Sequence, residues 1–291
     1  MDFPVLALCC GSLVLWDMSI FEALVLGLIQ GLTEFLPVSS SGHLVLFQKI
    51  LRVSGPALFF DTLLHGGTLI AVLVVLRDDI WALLRRPIQP LTAYLVLGTL
   101  PAVLAALIFN DAIEAAFESG AFLGFTFLLT AIFLASAEIL SKRAVNLRKK
   151  GEMTWLDSLF IGIFQAIAIV PGLSRSGSTI SASLIRGLNR DFAARFSFLL
   201  SIPAILGALV LQIKDLAGVS GAAEAAGVGG AGSIGGLSLA AGTITAAVVG
   251  FFSIKIMLKI VRERSLWGFA AYTGIVGILT LADRYLTHIF F

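Results

Sequence analysis

Six long apolar segments constrain this 291-residue chain more than any other feature, because each approaches the roughly 20 residues that a helix needs to cross a bilayer. Charged residues make up only 13% of the chain, about half the share that soluble domains carry. We therefore predict an all-α integral membrane protein. Its six transmembrane helices are predicted at Ala57–Leu76, Leu91–Phe109, Ala121–Leu140, Ala194–Ile213, Leu237–Met257 and Trp267–Leu286.

Two further apolar segments are interrupted. The segment from Ile20 meets a break at Pro37–Gly42, and the segment from Trp155 meets one at Pro171–Gly177. Irregular backbone at membrane depth is tolerated only where it is buried in protein or lines a cavity. We therefore predict two re-entrant helical hairpins.

Basic residues predict the orientation of the chain. Fifteen of the twenty lie in four stretches, at 77–86, 142–150, 186–195 and 255–264, whereas the connectors 110–120 and 215–236 contain acidic residues and no basic ones. The positive-inside rule places the four basic stretches in the cytoplasm and the two acidic connectors outside. The second hairpin then enters from the cytoplasm, the first enters from the opposite face, and their tips point at each other.

An internal repeat supports this arrangement. At a constant offset of 135, Gly27, Gln30, Ser39, Ser41 and Gly42 match Gly162, Gln165, Ser174, Ser176 and Gly177. Three spans separate the copies, so the second copy is inverted, and such folds place their site where the broken segments meet. We predict one membrane domain over residues 18–291, with repeats at about 18–109 and 153–257 and a final helix at 267–286, preceded by an apolar extension at 1–17.

Ionisable groups inside a bilayer are functional candidates, because they are costly there without a partner. Glu34 lies one helical turn after Gln30. It is either a functional carboxylate of the site or a cap for the Ser-rich turn that follows it. Arg175 lies at the tip of the second hairpin, where a guanidinium requires an anion. Its planar fork matches phosphate oxygens, and the alternative is an ion pair with Glu34.

Hydroxyl groups cluster at both breaks. Ser39, Ser40 and Ser41 precede His43 at the first break, and Ser174, Ser176 and Thr179 surround Arg175 at the second. Backbone N–H groups at a helix start can hold an anion, and a histidine can accept a proton from a hydroxyl or pair with a phosphate. Serines also satisfy freed backbone groups in broken membrane helices, so a structural role for each remains equally open.

Asp61 and His65, four residues apart, are expected to face the same region. They form either a polar packing pair between helices or part of the site. Glu34 and Asp61 are the candidate ligands of a divalent cation. Carboxylates, hydroxyls, a histidine and an arginine together suit a diphosphate, whose charge would be met by Arg175, helix dipoles and a metal.

The segments QGLTEFLPVSSSGH (30–43) and PGLSRSGST (171–179) resemble the two signature motifs of the bacterial undecaprenyl-diphosphatase, or bacitracin-resistance, family. The first motif of the family begins with Glu or Gln. In this chain the residue is Gln30, which carries no charge, so Glu34 is the main carboxylate of the motif. The resemblance covers the chain from about residue 18. It implies that Glu34, His43 and Arg175 are essential, with Ser39, Ser40, Ser174, Ser176 and Thr179 around the phosphates.

The same resemblance implies a metal-dependent enzyme of the bacterial plasma membrane, with Mg²⁺ or Ca²⁺ as the ion. It would hydrolyse undecaprenyl diphosphate to the monophosphate and phosphate at the outer face, which recycles the lipid carrier of peptidoglycan synthesis and confers bacitracin resistance. In our hypothesis Ser40 attacks the terminal phosphorus with Glu34 or His43 as base. Attack by water and a phospho-His43 intermediate remain open.

A transporter or flippase of an anionic lipid or small anion is the competing class, because inverted repeats with broken helices are also the anatomy of alternating access. A net charge of +2 without a basic stripe argues against nucleic acid as a partner. The expected partners are the lipid diphosphate and the bilayer. The sequence does not set the oligomeric state and is compatible with a homodimer.

Overall fold

The computed structural model describes residues 18–53, 57–141, 152–225 and 235–290, which form helices and no strands. The predicted extension at 1–17 lies outside these residues. The helices are α1 (Ile20–Thr33), α2 (Ser40–Leu51), α3 (Ala57–Val75), α4 (Arg77–Arg85), α5 (Pro90–Ile108), α6 (Asn110–Ser119), α7 (Leu123–Ser141), α8 (Trp155–Ile167), α9 (Arg175–Ile185), α10 (Arg190–Ala225), α11 (Gly236–Glu263) and α12 (Trp267–Ala282).

Four helices in the described part of the chain are long and apolar enough to cross a membrane: α5, α7, α10 and α11. All four coincide with predicted spans. Helix α3 also matches its predicted segment, with 19 residues. Helix α12 ends at Ala282 after 16 residues, earlier than the predicted Leu286, and the chain continues as a π-helical turn over Asp283–Thr287.

Three features of the connectors were not predicted. Helices α4 and α6 occupy segments that the sequence analysis treated as loops. Helix α10 continues for 36 residues to Ala225, so part of the predicted loop at 215–236 is helical. Hydropathy ends a predicted span where polar residues begin, but backbone hydrogen bonding continues into Ala-rich and amphipathic sequence, because helix propensity does not depend on burial.

The two broken segments begin with the same local structure. Ser19 and Glu22 form a capping box before α1, and Thr154 and Asp157 form one before α8. Each box satisfies free N–H groups of the first helical turn with two side chains. Both pairs obey the offset of 135, so the repeat extends to the caps.

The packing of the helices is reciprocal between the two repeats. The first helix of one copy packs on the last helix of the other, as α1 does on α11 and α8 on α5. Glycines allow the close approach in both places: a Cβ on Gly27 would lie 2.4 Å from the carbonyl oxygen of Gly242, and a Cβ on Gly162 would lie 2.6 Å from that of Gly98. Gly27 and Gly162 are one of the matched pairs of the repeat.

The two breaks meet, as the sequence predicts. Gly172 N–H donates to Ser41 Oγ (3.3 Å), and Ser176 Oγ donates to the carbonyl oxygen of Leu36 (3.0 Å). Below them the ring of Phe35 packs edge-on against Phe198 of α10, with centroids 5.3 Å apart and both rings buried. This aromatic contact fixes the backbone beside Glu34 against the second repeat.

Candidate functional site

Glu34 is the centre of a buried polar cluster between the two breaks. One oxygen, Oε1, accepts a hydrogen bond from Arg175 Nη2. The other, Oε2, accepts from Ser40 Oγ (2.6 Å) and Gln30 Nε2 (3.0 Å), and lies 3.4 Å from His65 Nε2. The Glu34 side chain is only 1% exposed, so these partners replace the water that the carboxylate would otherwise need.

Arg175 is the first residue of α9. Ser174 caps this helix by accepting from Gly177 N–H (3.0 Å), which places the guanidinium at the helix start. Nη2 pairs with Glu34, so the ion pair that the sequence analysis weighed as an alternative is present. The other terminal nitrogen, Nη1, is buried and has no hydrogen-bond partner in the described structure, which leaves donors for a further anion.

The cluster lines one end of a cavity of about 310 Å³. Its polar lining includes Glu34, Ser40, Ser41, Asp61 and Arg175. The rest is largely apolar and comes from α2, α5, α6, α10 and the segment between α8 and α9: Leu44, Ala102, Ile113, Phe117, Ala168, Ile169, Leu173, Ala204, Ile205, Ala208 and Leu211. A ligand with a charged end and a long apolar part suits this combination.

The predicted hydroxyl groups divide into two sets. Ser40, Ser41 and Ser174 line the cavity. Ser176 does not line it, because its Oγ donates to the carbonyl oxygen of Leu36 (3.0 Å). Ser39 and Thr179 do not line it either: Ser39 Oγ accepts from Gly42 N–H (3.2 Å), and Thr179 Oγ1 lies 2.9 Å from the carbonyl oxygen of Arg175 and 2.6 Å from Ser197 Oγ. These last two side chains stabilise the first turns of α2 and α9.

His43 is separate from the cavity. Its ring is 3% exposed and lies between Phe127, in edge contact, and Tyr272, in a stacked contact. Nδ1 lies 2.7 Å from the carbonyl oxygen of Ser39, and Nε2 lies 2.7 Å from the hydroxyl of Tyr272. Both ring nitrogens therefore have protein partners.

Asp61 lines the same cavity as Glu34, and its Oδ1 accepts from Gln48 Nε2 (2.7 Å). Within the described ranges, no three acidic, histidine or cysteine side chains converge as a metal-binding group. Mg²⁺ differs from structural metals in this respect, because it usually binds through one or two carboxylates together with substrate phosphates and water. Two carboxylates that line one cavity fit that mode of binding.

Three further polar residues line the cavity, Thr62, His65 and Gln165, and of these only His65 was considered as a possible site residue from the sequence. His65 Nδ1 donates to the carbonyl oxygen of Asp61 (2.7 Å), so Nε2 faces Glu34. Gln165 Nε2 donates to the carbonyl oxygen of Gly98 (3.4 Å), and its Oε1 is buried without a hydrogen-bond partner among the described residues. The spacing of His65 from Asp61 and the pairing of Gln165 with Gln30 in the repeat were the available signals.

The four apolar helices of membrane-spanning length and the buried ionic cluster fit a helical membrane protein with an internal charged site. The chain belongs to the family described as bacitracin resistance protein BacA, which matches residues 23–279.

Several relatives share this similarity over nearly their whole length. The undecaprenyl-diphosphatase of Carboxydothermus hydrogenoformans is 47% identical over 91% of this chain and 97% of its own. Undecaprenyl-diphosphatase 4 of Bacillus thuringiensis (strain Al Hakam) is 42% identical over 94% and 100% of the two chains, and the undecaprenyl-diphosphatase of Methanosphaera stadtmanae is 37% identical over 91% and 98%. These names support a phosphatase activity.

Proposed function

We propose that this protein hydrolyses undecaprenyl diphosphate to undecaprenyl phosphate and inorganic phosphate. The observation that carries the proposal is the hydrogen bond from Ser40 Oγ to the buried Glu34 carboxylate, beside an arginine that retains unpaired donors. Phosphoryl transfer to a hydroxyl requires a base beside that hydroxyl. It also requires a cation that stabilises the negative charge on the phosphoryl oxygens in the transition state. The names of the relatives support the same substrate.

The remainder of the cavity supports a prenyl substrate. Its apolar lining begins one residue or one turn away from the charged cluster, with Leu173 next to Ser174 and Leu44 one turn after Ser40. The diphosphate would lie at the polar end and the first isoprene units along the apolar lining. Burial of the prenyl chain away from water would contribute binding energy that holds the diphosphate in place.

The proposed reaction has two displacements at the terminal phosphorus. Ser40 Oγ forms a bond to phosphorus while Glu34 accepts the hydroxyl proton, and the bond from phosphorus to the bridging oxygen breaks, which releases undecaprenyl phosphate. Glu34 passes this proton to solvent and then accepts one from water as the water oxygen bonds to the phosphorus of the phosphoserine. The bond from phosphorus to Ser40 Oγ breaks, Glu34 returns the proton to Ser40 Oγ, and phosphate is released. Arg175 donates to the phosphoryl oxygens, where negative charge accumulates in both transition states.

A divalent cation, Mg²⁺ or Ca²⁺, belongs to this proposal, with Glu34 and Asp61 as the residues that would hold it. When bound with the substrate, the cation would neutralise part of the diphosphate charge. Asp61 is already oriented towards the cavity by Gln48, and it needs no rotation out of the protein core to contribute.

The re-entrant hairpins are also part of the proposal. We place the protein in the bacterial plasma membrane as six transmembrane helices and two hairpins from opposite faces, with the site open to the outside. The reciprocal packing of the repeats supports this arrangement. Hydrolysis there would recycle the lipid carrier of peptidoglycan synthesis and would confer bacitracin resistance.

The test is release of phosphate by the purified protein in detergent, with undecaprenyl or farnesyl diphosphate as substrate. We expect turnover that EDTA abolishes and that Glu34→Gln or Arg175→Lys lowers at least about a hundredfold. Asp78→Asn and Arg77→Lys change the same residue types at an exposed ion pair on α4 and should retain full activity. Absence of turnover in the wild-type protein would refute the proposal.

The same experiment addresses the transporter alternative, which the reciprocal packing of two repeats also favours. Detergent removes any gradient, so a transporter would bind a prenyl diphosphate saturably and release no phosphate. Turnover that depends on Glu34 favours the enzyme.

A further inference from the structure

We infer that His43 is a positioning residue, and that Tyr272 on α12 acts through it to orient Ser40. The inference rests on the proposed phosphatase function and assigns a role to the final helix, which lies outside both repeats. It also distinguishes His43 from a base or nucleophile, the roles that its place in the first motif suggested.

The hydrogen bonds of His43 define its tautomer. The carbonyl oxygen of Ser39 can only accept, so Nδ1 carries the hydrogen and donates to it. In the neutral ring Nε2 is then an acceptor, and the hydroxyl of Tyr272 donates to it. The lone pair that a base or nucleophile would use is therefore directed at Tyr272, and His43 does not line the cavity.

The carbonyl that His43 holds belongs to an unusual residue. Ser39 has φ of 72°, in the left-handed region that non-glycine residues rarely adopt. Such a conformation persists only when its surroundings fix it. Three contacts do so: its Oγ accepts from Gly42 N–H, and its carbonyl oxygen accepts from both Nδ1 and the backbone N–H of His43.

Ser40 follows directly as the first residue of α2, and its Oγ donates to Glu34. The backbone geometry of Ser39 sets the direction in which the Ser40 side chain leaves the helix start. A chain of contacts thus runs from Tyr272 through His43 and Ser39 to Ser40. Loss of the hydrogen bond between Tyr272 and His43 would misalign the Ser40 hydroxyl and leave the cavity lining intact.

The matched variants are His43→Asn and His43→Gln. The amide nitrogen of asparagine lies near the position of Nδ1 and can donate to Ser39, whereas that of glutamine lies near Nε2 and cannot. We expect His43→Asn to keep kcat within about tenfold of the wild type and His43→Gln to lose about a hundredfold or more, with KM changed less than twofold in both, because misplacement affects the chemical step.

Tyr272→Phe retains the stacked ring and removes the hydroxyl donor. We expect kcat to fall about tenfold, with an unchanged shape of the pH-rate profile and little further effect in a His43→Asn background, because both changes affect one chain of contacts. Tyr285→Phe, at an exposed tyrosine after α12, is the control and should behave as the wild type.

Equal inactivity of the asparagine and glutamine variants would overturn the inference, as would full activity of Tyr272→Phe or trapping of an acid-labile phosphohistidine. Each variant is first checked for a monodisperse elution profile in detergent, so that a folding defect is recognised. Absence of wild-type turnover would instead remove the proposed function, so the two failures are distinguishable.

Discussion

Glu34 and Arg175 form a buried pair in which each charge depends on the other. The Glu34 side chain is 1% exposed and that of Arg175 is 20% exposed, and they join the two breaks across 141 residues of sequence. Removing one member of a buried pair leaves an uncompensated charge, whereas removing both does not. The pair therefore contributes to folding as well as to the proposed chemistry.

A double-mutant cycle separates these two contributions. Glu34→Gln and Arg175→Gln should each destabilise the protein by about 3 kcal/mol, and the double variant should recover most of that loss, because no isolated charge remains. Thermal unfolding in detergent measures the stability. The double variant should stay inactive, and additive losses of stability would show that the pair makes no net contribution.

Ser40 and Ser41 are neighbours with different partners, which allows a second test at the residue scale. Ser40 donates to Glu34, whereas Ser41 accepts from the backbone of Gly172. Ser40→Ala should lower phosphate release at least about a thousandfold by removing the nucleophile. Ser41→Ala, the control, should retain most of the activity and lose some stability. Undiminished release by Ser40→Ala would exclude serine as the nucleophile and favour attack by water.

At the scale of elements, the helix crossings of α1 with α11 and of α8 with α5 hold the breaks together. Both crossings rely on a glycine of the matched pair Gly27 and Gly162. Replacement by alanine would place a methyl group against backbone, which cannot rotate away as a side chain does.

We expect Gly27→Ala and Gly162→Ala to destabilise the protein by about 1–3 kcal/mol each and to lower activity together with stability. Gly268→Ala is the matched control, because nothing lies within 4 Å of the added Cβ in α12 and alanine has the higher helix propensity. Apparent melting temperatures in detergent provide the comparison. Equal behaviour of all three variants would show that the crossings are not tightly packed.

The sequence predicted the four helices that are long and apolar enough to cross a membrane and the meeting of the two breaks, because bilayer thickness limits helix length and the offset of 135 pairs the breaks. It did not predict the separate environments of His43 and His65. Both histidines lie one turn from polar residues in the sequence, but the contact of His43 with Tyr272 joins positions 229 residues apart. The helical periodicity of a sequence does not show that the buried ring of His43 meets Tyr272 and that the ring of His65 meets Glu34, because both contacts join residues far apart in the sequence.

At the scale of the whole molecule, the proposed opposite entry of the two hairpins depends on the orientation of every helix. The exposed helices α4 and α6 are useful reporters, because the three basic residues at 77–86 predict the cytoplasm for α4, and the acidic connector 110–120 predicts the outside for α6. In the proposed arrangement these two helices lie on opposite faces of the membrane, because α5 is the single transmembrane helix that connects them.

Single cysteines test this arrangement in cells. In a Cys9→Ser and Cys10→Ser background, Ser119→Cys on α6 should react with a membrane-impermeant maleimide in intact cells. Ala82→Cys on α4 should react only after the membrane is permeabilised, because the proposed orientation places it on the cytoplasmic face. Both positions are exposed in the structure, so a difference in labelling reports the side of the membrane. Labelling of Ala82→Cys in intact cells would reverse the proposed orientation and place the mouth of the cavity on the cytoplasmic side. Undecaprenyl diphosphate at the outer face could then not be hydrolysed before it crosses the membrane.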